Sequence, residues 1–197
     1  MLNENFVFVG IAINAIGLSS YLIDTLRGKI QPNRVSFALW CLAPLIAFFA
    51  QIKQGVGVQS LMTLSVGLFP IAVFLGTFVN KKAYWKLTKF DLSCGVLSLA
   101  GLVLWQITQV GNFAIFFSIL SDGLAYVPTL VKSFKFPETE SAWPWATVST
   151  NGLFTLLTIK TWSFANFGFP LYFLIINFIV FAVVQFKIGK RMAKASL

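Results

Sequence analysis

Histidine is absent from this 197-residue chain, acidic residues number only 6, and charged side chains of both signs make up 11%. The first absence removes imidazole metal ligands, histidine proton relays and Ser-His or Cys-His nucleophile pairs together. The scarcity of charge excludes an ordinary soluble domain, in which about 25% of residues are charged. The two cysteines, Cys41 and Cys94, stand alone inside apolar segments. Neither a disulfide nor a zinc site is expected of them, and both read as small packing residues. No Gly-rich phosphate loop, Gly-x-Ser-x-Gly elbow, His-Glu-x-x-His helix or catalytically spaced carboxylate pair occurs. The expectation is a protein that is not an enzyme and uses no metal or cofactor. The start, Met1-Leu2-Asn3-Glu4, has no basic region or cleavage site of a signal peptide, so the first apolar run is expected to be retained.

What is abundant is apolar surface: 57% of residues are hydrophobic and the mean hydropathy is +0.82. A bilayer core of about 30 Å takes ~20 helical residues per crossing. Seven apolar runs bounded by charge or turn residues fit that length: 5–26, 35–53, 60–80, 91–109, 113–131, 145–160 and 167–187. The expected fold is an all-α integral membrane protein of seven transmembrane helices, with 1–197 a single membrane domain. The sixth run is unusually polar, with Thr147, Ser149, Thr150, Asn151, Thr155 and Thr158, and should face the bundle interior.

The net charge of +9 would suggest nucleic acid in a soluble protein, but here the charges lie between apolar runs and report topology instead. With the N-terminus outside, the cytoplasmic segments hold Arg27, Lys29 and Arg34; Lys81, Lys82, Lys86 and Lys89; Lys132 and Lys135; and Lys187, Lys190, Arg191 and Lys194. Only Lys53 and Lys160 fall on the other side. That asymmetry needs an odd number of spans, an outside N-terminus and a cytoplasmic C-terminus, with 188–197 a basic cytoplasmic tail. The lysine-rich stretch 81–89 carries Tyr84 and Trp85 and reads as positive-inside charge rather than a lipid-binding motif. All six tryptophans fall near span ends, as an aromatic belt would place them, and Trp40 reads first as a belt anchor.

An offset of 105 residues aligns Tyr21, Pro32, Ser36 and Trp40 with Tyr126, Pro137, Ser141 and Trp145, and Arg27 with Lys132. It maps helices 1, 2 and 3 onto 5, 6 and 7. The chain then reads as a first triple-helix repeat (5–80), a linker helix (91–109) and a second, parallel repeat (113–187). This 3+1+3 plan, with a basic loop, a proline and a serine leading into the second helix of each triplet, resembles the SWEET and PQ-loop (MtN3-like) transporter superfamily. The stretch 126–142 carries Pro128-Thr129 where the family has Pro-Gln, and 21–37 departs further, with Ile23-Asp24 there. Nicotinamide-riboside-type vitamin transporters and protein-retrieval receptors share the plan, so fold alone does not select a function. The resemblance implies a transporter of a small polar solute, sugar-like by default, working by alternating access with or without a proton. Alternatives are a vitamin, nucleoside or amino-acid carrier, or a non-transporting receptor or scaffold leaning on the Lys190-Arg191 segment. The expected partners are a small solute and the lipid bilayer, not nucleic acid. Two triplets in one chain suffice as a monomer, and a homo-oligomer is equally compatible.

Several residues stand out as candidates for the site. Asp122 lies mid-span, where an ionised carboxylate costs roughly 2.5–3.5 kcal/mol; Ser118, Ala125 and Thr129 share its face. It reads either as a proton-coupling group or as a tie between helices. Asn177 and Asn151 suit solute binding, each able to donate and accept. An asparagine in the last helix of a triplet is where the resemblance places a substrate ligand, and Asn177 fits; Ala72 matches it in the first triplet, so the site should be asymmetric. Asn14, Gly17, Tyr21 and Asp24 form a small polar face of helix 1, with Asn14 a further solute ligand and Asp24 an ion-pair partner for Arg27. Ser36, Trp40, Pro44 and Gln51 share a face of helix 2, where Trp40 is also a candidate to stack on a ring-shaped ligand. Pro44, Pro70 and Pro128 interrupt spans, and the resemblance implies hinge roles for Pro44 and Pro128.

Overall fold

The computed structural model describes residues 2–108 and 111–195. It is all-helical, 80% helix, with no strand among the described residues. Eight α-helices follow one another: α1 (Phe6–Leu26), α2 (Arg34–Lys53), α3 (Ser60–Gly76), α4 (Lys89–Thr108), α5 (Gly111–Lys135), α6 (Ala142–Thr158), α7 (Phe164–Gln185) and α8 (Ile188–Ala195). Of these, α1, α2, α5 and α7 are long and apolar enough to cross a membrane.

The boundaries have local causes. Asn33 caps α2 by accepting from the backbone N–H groups of Val35 and Ser36. The run expected to continue to 80 stops at Gly76 because Arg34 reaches across to cap α3, donating through Nη2 to the Thr77 carbonyl at 2.6 Å and through Nε to Thr77 Oγ1 at 3.1 Å. The Arg34 guanidinium also lies 4.2 Å over Phe78 and 4.8 Å over Tyr84. Helix α5 extends four residues beyond the expected 131 to Lys135, and α6 starts three residues before 145, since Pro144 fits the first turn of a helix. The short α8 lies where only a basic tail is expected, set off from α7 by Lys187 in the left-handed region at φ 49°. Pro170 interrupts α7, a fourth in-helix proline beside Pro44, Pro70 and Pro128.

Helix α3 packs on both α1 and α2, and α7 packs on both α5 and α6. Across these two groups α1 lies along α6 and α2 along α5, while α4 covers the outside of α5 and touches α2. The α1–α6 seam is close because α1 presents glycine there: a Cβ on Gly10 would stand 2.6 Å from Asn151 Oδ1, and one on Gly17 1.9 Å from Thr147 Oγ1. Gly152 brings α6 against backbone, where a Cβ would lie 2.7 Å from the Pro170 carbonyl oxygen.

Polarity is arranged as a bilayer selects it. Large apolar side chains face outward on every long helix, Ile16, Phe49, Leu75, Val96, Phe116 and Phe178 among them. Most of the polar residues expected to turn inward do so: Thr147, Ser149, Asn151, Thr155 and Thr158 of α6 are buried, as are Ser118, Asp122 and Thr129 of α5, while Thr150 is half-buried. Cys41 and Cys94 are free thiols. The tryptophans divide. Trp143 and Trp162 are exposed, as belt residues would be, but Trp40 and Trp145 are buried in the interior, which corrects the belt reading of Trp40. Trp105 lies in α4, with its side chain outside the described ones.

Candidate functional site

The four residues that the offset of 105 pairs most distinctively meet at the centre of the bundle. Trp40 and Trp145 contact each other edge to face, ring centroids 5.7 Å apart. Each also meets the tyrosine of the other half: Trp40 lies 4.3 Å from Tyr126 and Trp145 lies 5.9 Å from Tyr21. These rings, with Leu18, Phe37, Val66, Pro70, Pro144, Val148, Phe173 and Asn177, enclose a cavity with about 30 Å³ free, room for one or two waters. The indole N–H groups of Trp40 and Trp145 are buried without a hydrogen-bond partner. Such a donor costs roughly 1–3 kcal/mol unless something accepts from it.

Asn177 is the one amide on this wall, and it is engaged: its Oδ1 accepts from Tyr126 O–H at 2.9 Å and its Nδ2 donates to the Phe173 carbonyl at 2.9 Å. Asp122 stands just behind. Tyr172 donates to its Oδ2 at 2.8 Å, Oδ1 has no partner, and none of the ion pairs among the described residues includes it. Two crossed hydrogen bonds, Tyr172 to Asp122 and Tyr126 to Asn177, therefore tie α5 to α7, with the two tyrosine rings edge to face at 6.3 Å between them.

The other candidates lie off the cavity wall. Asn14 is fully buried on α1 between Gly10 and Gly17, and neither end of its amide has a partner. Asn151 donates to Ser65 Oγ at 3.4 Å and leaves Oδ1 unpaired. Both sit on the α1–α6 seam rather than against the aromatic rings. Pro128 lies on α5 two residues from Tyr126, on the opposite side of the helix, and lines a second groove with Trp85 and Phe136; Pro44 is buried one turn from Trp40 on α2. Asp24 pairs with Lys29 at 3.4 Å instead of the expected Arg27.

Both ends of the bundle are shut, by different means. At the end where α1 passes into α2, Lys132 Nζ and Glu140 Oε1 form an ion pair of 2.5 Å whose side chains are only 1% and 0% exposed. Tyr21 O–H donates to the second Glu140 oxygen at 2.8 Å, and Lys132 donates to the Gln31 carbonyl at 2.5 Å and lies 5.3 Å over Trp85. Gln31 N–H donates to the Thr139 carbonyl, and Ser36, Thr129 and the Ala125 carbonyl form a short chain beneath. Gly28 closes the same end: at φ 68° it turns the chain, and a Cβ there would stand 2.7 Å from Lys82 Cβ. At the opposite end the closure is an apolar cluster containing Val7, Met62, Ile115 and Phe169, with hydrogen bonds from Gln51 to the Ala165 carbonyl and from Gln59 to the carbonyl and hydroxyl oxygens of Thr158.

Tyr21, Tyr126 and Trp145 line the cavity but are not read as site residues from the sequence: all three are repeat markers there, Tyr21 also part of the polar face of helix 1 and Trp145 also a belt residue. The buried pair Lys132–Glu140 is not read either: Lys132 counts in the sequence as a topological cation and as the repeat counterpart of Arg27, and neither reading points to Glu140. No family model, curated protein or solved structure matches the chain.

Proposed function

We propose that the protein is a seven-span carrier that moves a small solute across a membrane by alternating access. The observation that carries this reading is a central aromatic cavity shut separately at each end, by a polar latch on one side and apolar packing on the other. The packing supports two parallel triple-helix repeats. Exchanging α1 with α5, α2 with α6 and α3 with α7 leaves the main contacts among these six helices unchanged, α4 alone breaking the symmetry by packing on α5 and α2, and the contact of Tyr21 with Trp145 becomes that of Tyr126 with Trp40. The latched end carries the basic loops, so the positive-inside rule makes it cytoplasmic and puts the N-terminus outside.

In this cycle the solute replaces the tilted ring contact between Trp40 and Tyr126, with Asn177 beside it. Release toward the cytoplasm parts Lys132 from Glu140; uptake from outside parts the apolar cluster. Asp122, tied to Tyr172 behind the cavity, holds α5 against α7 and is the group through which a proton would couple. Pro44 and Pro128 bend the helices that bear Trp40 and Tyr126. A non-transporting receptor using Lys190 finds less support, because Lys190 is engaged with Glu138 at 2.6 Å. Uptake by liposomes containing the purified protein, measured for sugars, vitamins, nucleosides and amino acids against empty vesicles, tests the proposal. Flux of one class above the empty-vesicle rate is expected; binding without flux would establish the receptor reading instead.

A further inference from the structure

From the polar inventory of the cavity wall we infer its ligand: an uncharged planar ring carrying two or more hydrogen-bond acceptors and few donors, neither a polyol nor a cation. The inference rests on the reading of this cavity as the solute site. Two buried N–H groups on the wall, the indoles of Trp40 and Trp145, have no acceptor. Asn177 uses one amide hydrogen on Phe173 and leaves the other free, while its oxygen already accepts from Tyr126. The two phenols are spent as donors, Tyr21 on Glu140 and Tyr126 on Asn177. The residues of the wall thus carry three unpaired donor hydrogens and no carboxylate.

A sugar brings a proton on every hydroxyl and needs an acceptor for each, whereas the wall offers only the remaining lone pairs of the Tyr21 and Tyr126 oxygens and of Asn177 Oδ1, too few for the ring of hydroxyls of a polyol. An organic cation gains from aromatic faces but leaves the two indole N–H groups unpaired and opposes them with like charge. An acceptor-bearing ring satisfies both indoles, and its faces stack where Trp40 and Tyr126 now meet at 4.3 Å. The small free volume is that of a site collapsed onto its own rings, which such a ligand would part.

The test uses the full-length protein in detergent, with dimethyluracil as a donor-free ring bearing two carbonyls, glucose as the polyol and choline as the cation. Dimethyluracil is expected to raise the melting temperature and quench tryptophan fluorescence, while glucose and choline leave both unchanged. Trp40→Phe and Trp145→Phe keep an aromatic ring and lose the N–H, and each should weaken binding about ten-fold. Their ligand-free melting curves show that they fold. No response to dimethyluracil, an equal response to glucose or choline, or unchanged affinity in both variants overturns the inference. Glucose flux into liposomes would overturn the ring class and leave the carrier standing; dimethyluracil binding without flux would do the reverse.

Discussion

The two ends of this bundle are closed with opposite chemistry. One end relies on a buried lysine–glutamate pair whose remaining valences are filled by Tyr21 and Gln31. The other relies on interdigitated apolar side chains with isolated amide hydrogen bonds from Gln51 and Gln59. A polar latch is cheap to remake only when water can reach both partners as it opens, whereas apolar packing opens gradually and is insensitive to charge. The difference teaches that the latched end should respond to single-charge changes far more than the packed end does.

The largest effect is therefore expected at the latch. Lys132→Met leaves Glu140 buried without its cation and should cost about 3–5 kcal/mol, while Lys132→Met combined with Glu140→Met should recover much of the loss. Melting curves of the two single variants and the double variant check this. A double variant no more stable than either single one would break the comparison. Next comes Gly152→Ala in the helix common to both ends. Its new Cβ would lie 2.7 Å from the Pro170 carbonyl oxygen and 2.9 Å from Leu174 N, and backbone cannot step aside. Overpacking of about 1–3 kcal/mol should appear in the same melting assay.

At the packed end, Gln51→Leu removes one hydrogen bond but also an unpaired buried oxygen, so the loss should be about 1 kcal/mol or less. A loss as large as that of Lys132→Met would erase the distinction between the ends. The smallest effect belongs to the exposed pair of Glu138 with Lys190, which docks α8. Glu138→Gln should change stability by about 0.2–1 kcal/mol in low salt and by less in high salt. Hydrogen bonding from Lys190 holds the Glu138 carboxyl below its ordinary range. Its contribution is thus present above the ordinary carboxylate range and fades as pH falls through the lowered value. Glu138→Gln should remove that part of the acid sensitivity, as a pH series of melting curves would record.

Much of the fold was written in local pattern. Apolar runs and their polar interruptions place the seven long helices within a few residues, because length and hydropathy are one-dimensional properties. The inward polar face of α6, through Asn151 and Thr155, follows from helical periodicity in the same way. Helix α3 was overrun because its stop depends on Arg34, 43 positions away in sequence from Thr77. The site was half legible. Asn177 and Trp40 were read as ligand candidates and do line the cavity, while Asn14 and Asn151 share the interior but not the wall. Which polar residue meets which ring is set by how the two helix groups cross, and that long-range geometry leaves no trace in spacing. The buried pair of Lys132 and Glu140 shows the same limit: each residue is ordinary alone, and only packing makes the pair distinctive.

The central claim, that solute passes because the two closures open in turn, is tested most directly by locking each one. In a Cys41→Ala and Cys94→Ala background, cysteines at Gln31 and Thr139 would span the latched end and cysteines at Gln59 and Thr158 the packed end. A bifunctional thiol reagent would then bridge one pair at a time while flux into liposomes is measured. The account predicts that bridging either pair alone stops flux and that releasing the bridge restores it. Flux that continues with either end bridged would contradict alternating access through this cavity.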